Sequence, residues 1–139
     1  EPDDRVLEVG TGSGYGAAVV SRLSATVVSV ERHECLARSA SERLGEMGFS
    51  NVHVVEGDGS LGWPDQAPYD AIIVTAAGPA VPDALLGQMA DGARLVIPVG
   101  GRQDEQRLLR VVRSGNHYET EDLGGVRFVP LVGEQGVDD

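Results

Sequence analysis

Val6-Leu7-Glu8-Val9-Gly10-Thr11-Gly12-Ser13-Gly14-Tyr15 decides how this chain is read. A buried-strand pattern runs straight into three alternating glycines, with an acidic residue two places before the first. A strand that turns sharply into a helix needs positions that tolerate positive φ and let a ligand approach bare backbone. Gly10, Gly12 and Gly14 supply both. In open α/β sheets, nucleotide-type ligands bind at such turns, just outside the carboxyl end of the strand. A second β-branched run, Thr26-Val27-Val28-Ser29-Val30, ends in Glu31, where a carboxylate about 20 positions after the turn is placed to bind ribose hydroxyls. A bound nucleoside is expected.

Two cofactors satisfy that pattern. Gly12-Ser13-Gly14-Tyr15-Gly16-Ala17 fits the looser dinucleotide form G-x-G-x-x-G/A, which keeps an NAD-dependent oxidoreductase open. Glu8 to Gly14, read as acidic-x-Gly-x-Gly-x-Gly, resembles the first motif of S-adenosylmethionine (SAM) methyltransferases. There the acidic residue organises the loop and reaches toward the amino-acid end of the cofactor.

Working outward, short β-branched runs alternate with amphipathic stretches, the pattern of a parallel sheet covered by helices. Strands are predicted near 5–10, 26–31, 52–56, 70–75 and 92–98, and helices near 14–24, 33–48 and 82–90. In the second helix Leu36, Ala40, Leu44 and Met47 form a stripe expected to pack in the core, with Gly48 as the stop. After Pro98-Val99-Gly100-Gly101 two further strands, 108–113 and 126–131, follow without a helical pattern between them. A parallel pair would need a longer crossover, so an antiparallel edge is predicted. The fold class is α/β: a Rossmann-like, class I methyltransferase type of sheet, mostly parallel with an antiparallel C-terminal strand pair. NAD domains tend to continue in parallel.

The 139 residues suit a single domain, 1–139, with no linker. A hydrophobic fraction of 41% is that of an ordinary soluble globular chain, and no apolar run approaches a membrane span. Neither a signal peptide nor a membrane partner is expected. The start at Glu1-Pro2-Asp3-Asp4 lacks an initiator Met and lies just before the first strand, so sequence upstream is expected to be missing. A formal net charge of −11, from 22 acids against 11 bases, argues against a nucleic-acid partner, whose phosphates are bound by Lys and Arg. Every base is Arg, which reads as codon bias or salt adaptation. The lone Cys35 has no internal disulfide partner and suits a reducing, cytoplasmic location. Nothing in the sequence selects an oligomeric state.

Two further strand ends carry chemistry. Val52-His53-Val54-Val55-Glu56 leads into Gly57-Asp58-Gly59, where a carboxylate can accept from an exocyclic amine and a neighbouring N–H can donate to a ring nitrogen, which would read adenine; a plain Asp-Gly turn is the alternative. Asp70-Ala71-Ile72-Ile73-Val74 opens into Thr75-Ala76-Ala77-Gly78-Pro79, whose small residues leave room for a substrate or form a tight helix-entry loop. His33, His53 and His117 fall at a helix start, within a strand and in a late turn, with no shared catalytic site. No Cys/His cluster suggests a metal, and none is expected.

In order and spacing, five segments resemble the protein-L-isoaspartate O-methyltransferase family, and the likeness covers nearly the whole chain. They are Glu8 to Tyr15; Gly57-Asp58-Gly59 with Gly62-Trp63-Pro64; Ala67 to Ala77; Arg94-Leu95-Val96-Ile97-Pro98-Val99-Gly100; and Val126-Arg127-Phe128-Val129-Pro130-Leu131. The resemblance implies that Glu8, Gly10, Thr11, Gly12, Ser13 and Gly14 surround the methionine part of SAM. It implies that Glu31, with Arg32 beside it, holds the ribose, that Asp58 and Gly59 take the adenine, and that Thr75 joins the cofactor site. Ala76, Ala77, Pro98, Val99 and Gly100 would border the substrate peptide. The chain departs from the family at Gly16, where members commonly carry a larger residue, often Gln. It also lacks the family's N-terminal region, whose hydroxyl residue and loop cover the active site. The catalytic hydroxyl is therefore expected upstream of Glu1, with no catalytic residue within the chain, and neither Ser13 nor Ser60 replaces it.

The resemblance implies methyl esterification of the α-carboxyl of L-isoaspartyl residues in damaged proteins or peptides, with S-adenosylhomocysteine as product and spontaneous succinimide formation starting repair. A carboxylate nucleophile, with a pKa near ~3.9 to ~4.3, is already ionised and needs no general base. Other readings stay open: a related carboxyl methyltransferase acting on aspartate of a modified peptide, a SAM-binding fragment inactive without its N-terminal region, and, more remotely, the oxidoreductase.

Overall fold

The computed structural model describes residues 3–10, 16–17, 21–22, 24–100 and 105–137. In chain order the elements are β1 (Arg5–Val9), β2 (Thr26–Glu31), α1 (Glu34–Glu46), β3 (Val52–Glu56), β4 (Tyr69–Val74), α2 (Asp83–Leu86), β5 (Met89–Val99), β6 (Gln106–Ser114) and β7 (His117–Val126). Two 3-10 turns, Gly59–Leu61 and Pro64–Gln66, connect β3 to β4. Gly16, Ala17 and Ser21 are helical and lie between β1 and β2.

The strands form one seven-stranded sheet in the order β3-β2-β1-β4-β5-β6-β7. Strands β1 to β5 pair in parallel, and β6 and β7 are antiparallel to their neighbours. The expected α/β class and its antiparallel ending are therefore present. Strand order reverses between β1 and β4, which opens a crevice beyond their carboxyl ends.

Alternation along each strand divides the core between the two faces. Leu7 and Val9 of β1 join Val28, Val30, Ile72, Val74, Leu95 and Ile97 in the larger cluster, which Tyr69, Leu85, Met89 and Leu131 complete. Val6 turns the other way, to Val27, Ala17 and Leu44. Glu8 follows Val6 onto that face, opposite Ser29 in the β1–β2 register. The position of Glu8 is thus a consequence of strand pleating.

Three expectations are corrected. The helix predicted over 82–90 shortens to Asp83–Leu86, because Gly87 caps it and Met89 already pairs with Tyr69. The register then jumps to Ala71↔Arg94, so β5 bulges around Gly92 (φ 79°). The last strand is 117–126 and not 126–131: Gly115 (φ 61°) and Asn116 make a two-residue turn that returns β6 at once into β7. Glycine with positive φ at the first central position suits a type II′ hairpin. Finally, α1 buries Ala37, Ala40 and Leu44. Leu36 and Met47, read as core, are 46% and 62% exposed. Gly48 (φ 81°) does end the helix, with Phe49 N–H returning to Leu44 O at 3.0 Å.

Buried Tyr69 and Gln88 hold the β3–β4 connection. The Tyr69 hydroxyl donates to Trp63 O at 2.5 Å, while Gln88 donates from Nε2 to Leu61 O (2.8 Å) and accepts Trp63 N–H at Oε1 (2.9 Å). Burial pushes the Tyr69 pKa up to about 12 from 10.0. A pKa raised in the folded state means that the neutral phenol is preferred there. Its contribution is complete below pH ~10 and is lost as pH rises toward ~12. Urea unfolding at pH 8 to 12 is expected to show this loss, and Tyr69→Phe to remove that part of it while costing about 1 kcal/mol at neutral pH.

Candidate functional site

Three strand ends meet at the crevice and are stitched together by hydrogen bonds. Gly10 N–H donates to Val30 O at 3.0 Å, and Thr75 N–H donates to Val9 O at 3.1 Å. The Thr75 hydroxyl lies 3.2 Å from both Val9 O and Gly10 O, its two possible acceptors. Gly10 has φ 103°, and a Cβ there would stand 2.6 Å from Thr75 Oγ1. The position therefore needs glycine on both steric and conformational grounds.

Beyond this seam lies a cleft of about 430 Å³, lined by Val9, Gly10, Val30, Glu31, Arg32, His33, Leu36, Gly59, Thr75, Ala76 and residues 129–132. Most of its wall is apolar, and the cleft falls in the size range of small-molecule sites. Glu31, only 7% exposed, lies on the wall with Oε1 3.3 Å from His33 N. Gly59 forms part of the lining, and a Cβ there would overlap the Val9 side chain.

The sequence-predicted residues divide clearly. Gly10, Glu31, Arg32, Gly59, Thr75 and Ala76 line this cleft. Thr11, Gly12, Ser13 and Gly14 lie outside the described residues. Glu8 faces away from the cleft, buried on the opposite side of the sheet, and its Oε1 accepts the Ser29 hydroxyl at 2.6 Å. A Cβ on Gly16 would come within 2.8 Å of Glu8 Oε2, so the glycine leaves space for this carboxylate.

Asp58 is also not part of the cleft lining. Its Oδ1 accepts from Ser60 N (3.0 Å) and Ser60 Oγ (2.6 Å), capping the 3-10 turn, and its Oδ2 accepts Glu134 N–H at 2.8 Å. Partial burial pushes its pKa up. The Glu134 and Ser60 hydrogen bonds and the Arg32 charge outweigh that and hold the carboxyl below the ordinary Asp value. The predicted Asp-Gly turn and a docking point for the C-terminal segment coincide in this one residue.

Ala77 and Gly100 line a second cavity of about 260 Å³ with Gln106, Phe128, Pro130 and Val137. Pro98 and Val99 are not among its lining residues: Gly78 bridges to Val99, Gly78 N–H donates to Pro98 O, and Gly100 N–H donates to Gly78 O. Pro130 lines both cavities. The histidines do not converge: His33 borders the cleft, while His53 and His117 are exposed on β3 and β7. No group of three or more metal-type ligands occurs among the described residues, and none of their helices is long and apolar enough to cross a membrane.

The sequence left several cleft residues without a role. Helical periodicity marks Leu36 as an apolar position without saying what it faces, and it lines the cleft. Val129 and Pro130 have strand composition, yet their irregular backbone turns them toward the cleft. Beside the second cavity, the Gln106 amide lies in no motif: its Oε1 accepts Phe128 N–H at 2.6 Å and its Nε2 donates to Phe128 O at 3.2 Å. No short-range signal marks a contact across 22 residues.

Burial raises the pKa of Glu8 above 4.5, partly opposed by the Ser29 hydrogen bond. A raised carboxyl pKa means that the protonated form is preferred in the fold. Its contribution is full below pH 4.5 and is lost as pH rises through the folded-state pKa. Glu8→Gln is therefore expected to flatten the stability profile above pH 4.5 without lowering stability at pH 7, as measured by urea unfolding across that range.

A family model described as protein-L-isoaspartate(D-aspartate) O-methyltransferase matches residues 1–136. The chain is 63% identical to protein-L-isoaspartate O-methyltransferase 2 of Pelobacter propionicus over 134 residues, which is 96% of this chain and 60% of that protein. It is 56% identical to the protein-L-isoaspartate O-methyltransferase of Protochlamydia amoebophila, covering 97% of this chain and 65% of that one. The chain thus spans about three fifths of the length of these curated relatives. A solved protein-L-isoaspartate O-methyltransferase superposes with a TM-score of 0.91 at 32% identity, over 98% of this chain and 44% of its own. A Plasmodium falciparum structure, described as a complex with S-adenosyl-L-homocysteine, shares the fold with a TM-score of 0.76 at 23% identity, over 95% of this chain and 67% of its own. With the family-model match spanning residues 1–136, this chain belongs to the protein-L-isoaspartate(D-aspartate) O-methyltransferase family.

Proposed function

We propose that the full-length protein uses SAM to methylate the α-carboxyl of L-isoaspartyl residues in damaged proteins, forming the ester that closes to a succinimide and starts repair. The observation that carries this reading is the family match over residues 1–136 together with a largely apolar cleft at the reversal of strand order. Membership in this family sets aside the dinucleotide alternative. A net charge of −11 and the lone cysteine agree with a protein substrate in the cytoplasm, without nucleic-acid or membrane partners.

The residues present suit an adenosyl group. Glu31 offers a carboxylate to a ribose diol, while Leu36, Leu131 and Val132 offer apolar surface to a flat base. Gly10 and Gly59 keep two parts of the lining free of side chains. When bound, SAM supplies an electrophilic methyl group with a neutral thioether as leaving group. The chain's task is then alignment and exclusion of water. Thr75 holds the ends of β1 and β4 in register beside the cleft, and the small Ala76 and Ala77 line the cleft and the neighbouring cavity, where an acceptor would approach. An isoaspartyl carboxylate is ionised at neutral pH, so no base in the chain has to remove a proton.

Full-length protein supplied with SAM should add one methyl group to an isoaspartyl peptide and leave the matched aspartyl peptide unmodified; equal labelling of both refutes the substrate assignment. Glu31→Gln should weaken S-adenosylhomocysteine binding by about 10- to 100-fold in calorimetry, the loss of charge-assisted hydrogen bonds worth ~1.5–3 kcal/mol.

A further inference from the structure

Residues 127–137 cross the carboxyl ends of the strands as a strap. The Gln106 side chain holds its beginning through Phe128. Ala77 grips the next stretch from both sides of its peptide unit, with Ala77 N donating to Val129 O (2.6 Å) and Leu131 N donating to Ala77 O (2.7 Å). Leu131 drops into the core. Beyond it the chain folds back on itself, with Gly133 N–H donating to Val137 O and Val137 N–H to Leu131 O.

The far end of the strap is seated on the 3-10 turn. Ser60 is the hub of this seat. Its side chain is fully buried, its hydroxyl donates to Asp58 Oδ1 at 2.6 Å, and its oxygen accepts Gln135 N–H at 3.0 Å. Glu134 N–H is held by Asp58 Oδ2 at 2.8 Å, and Gln135 Oε1 accepts Ala84 N–H at 3.0 Å from the start of α2. The fit is close enough that a Cβ on Gly133 would overlap the Asp58 carboxylate and lie 2.5 Å from Ser60 Oγ.

The same strap is a wall of both cavities. Val129, Pro130, Leu131 and Val132 line the cofactor cleft, while Phe128, Pro130 and Val137 line the neighbouring cavity. A ligand that packs better against the seated strap than against a displaced one shifts the strap toward the seated arrangement, and a wall shared by two cavities carries that shift to both.

We propose that Ser60 is a positioning residue that seats the strap, and that this seating couples the two cavities, so that cofactor in the first raises the affinity of the second for the acceptor peptide. The inference rests on the SAM reading of the first cavity. Ser60 lines neither cavity, so it is not assigned a catalytic role.

Hydrogen exchange on the full-length protein tests this. S-adenosylhomocysteine should slow exchange of amides in 131–137 and leave the hairpin at 114–118 unchanged. Ser60→Ala should speed exchange of 131–137 in the free protein and weaken S-adenosylhomocysteine binding roughly tenfold. It should raise KM for an isoaspartyl peptide, with a smaller change in kcat when both substrates are saturating. Gln135→Ala removes one tether from the outer surface and should act in the same direction more weakly; if Ser60→Ala fails to fold, this variant decides. Binding of S-adenosylhomocysteine with unchanged strap exchange, or wild-type affinity in both variants, overturns the coupling and leaves the cofactor reading intact. No binding to the wild type overturns the cofactor reading, and the coupling with it.

Discussion

The seam joining the carboxyl ends of β2, β1 and β4 is the constraint on which the rest of the structure depends. Parallel strands can leave backbone groups at their ends without partners, and here Gly10 N–H meets Val30 O while Thr75 N–H meets Val9 O. The Thr75 hydroxyl adds a side-chain bond at the same point. With these groups paired, the chain can reverse its strand order beside β1 and still leave an open crevice. A gap at that point is where an α/β sheet presents backbone and side chains together to a ligand.

Pleating then distributes the chemistry between the faces. Val9 reaches the cleft, and Glu8, one residue earlier, is carried to the opposite face, where Ser29 receives it. A buried carboxyl with a raised pKa lies there, in space left by Gly16. Asp58 is likewise drawn into internal hydrogen bonds, in its case with Ser60 and the chain's C-terminal segment. Each acid is next in sequence to a residue that lines the cleft, Val9 after Glu8 and Gly59 after Asp58, and both hold pieces of the protein in place. A carboxylate in a motif can thus shape a site through its neighbours.

Much of the fold was legible in the sequence because strand and helix periods are local. Runs such as Val6 to Val9, Val27 to Val30 and Ala71 to Val74 carry buried-strand patterns, and the changed rhythm after Gly100 announced the antiparallel ending. The errors share a cause. Leu36 and Met47 fit the helical stripe, but α1 presents Ala37, Ala40 and Leu44 to the sheet, a rotation that only packing sets. Residues 126–131 have strand composition, yet Gly115-Asn116 turned the chain earlier and left them to run as irregular backbone across the strand ends.

The sequence by itself determined which turns could approach a nucleoside and which strand ends carried acids, because glycine placement and alternating burial are properties of neighbouring residues. It also determined the family, through motifs whose order survives along the chain. Tertiary structure alone decided that Glu31 faces the cleft while Glu8 faces away, that Leu36 serves the cleft and not the core, and that Ser60, Asp58 and Gln106 anchor one strap. Those outcomes depend on register, helix rotation and hydrogen bonds between residues as far as 76 positions apart. Such contacts exist only once the sheet has brought distant strand ends together.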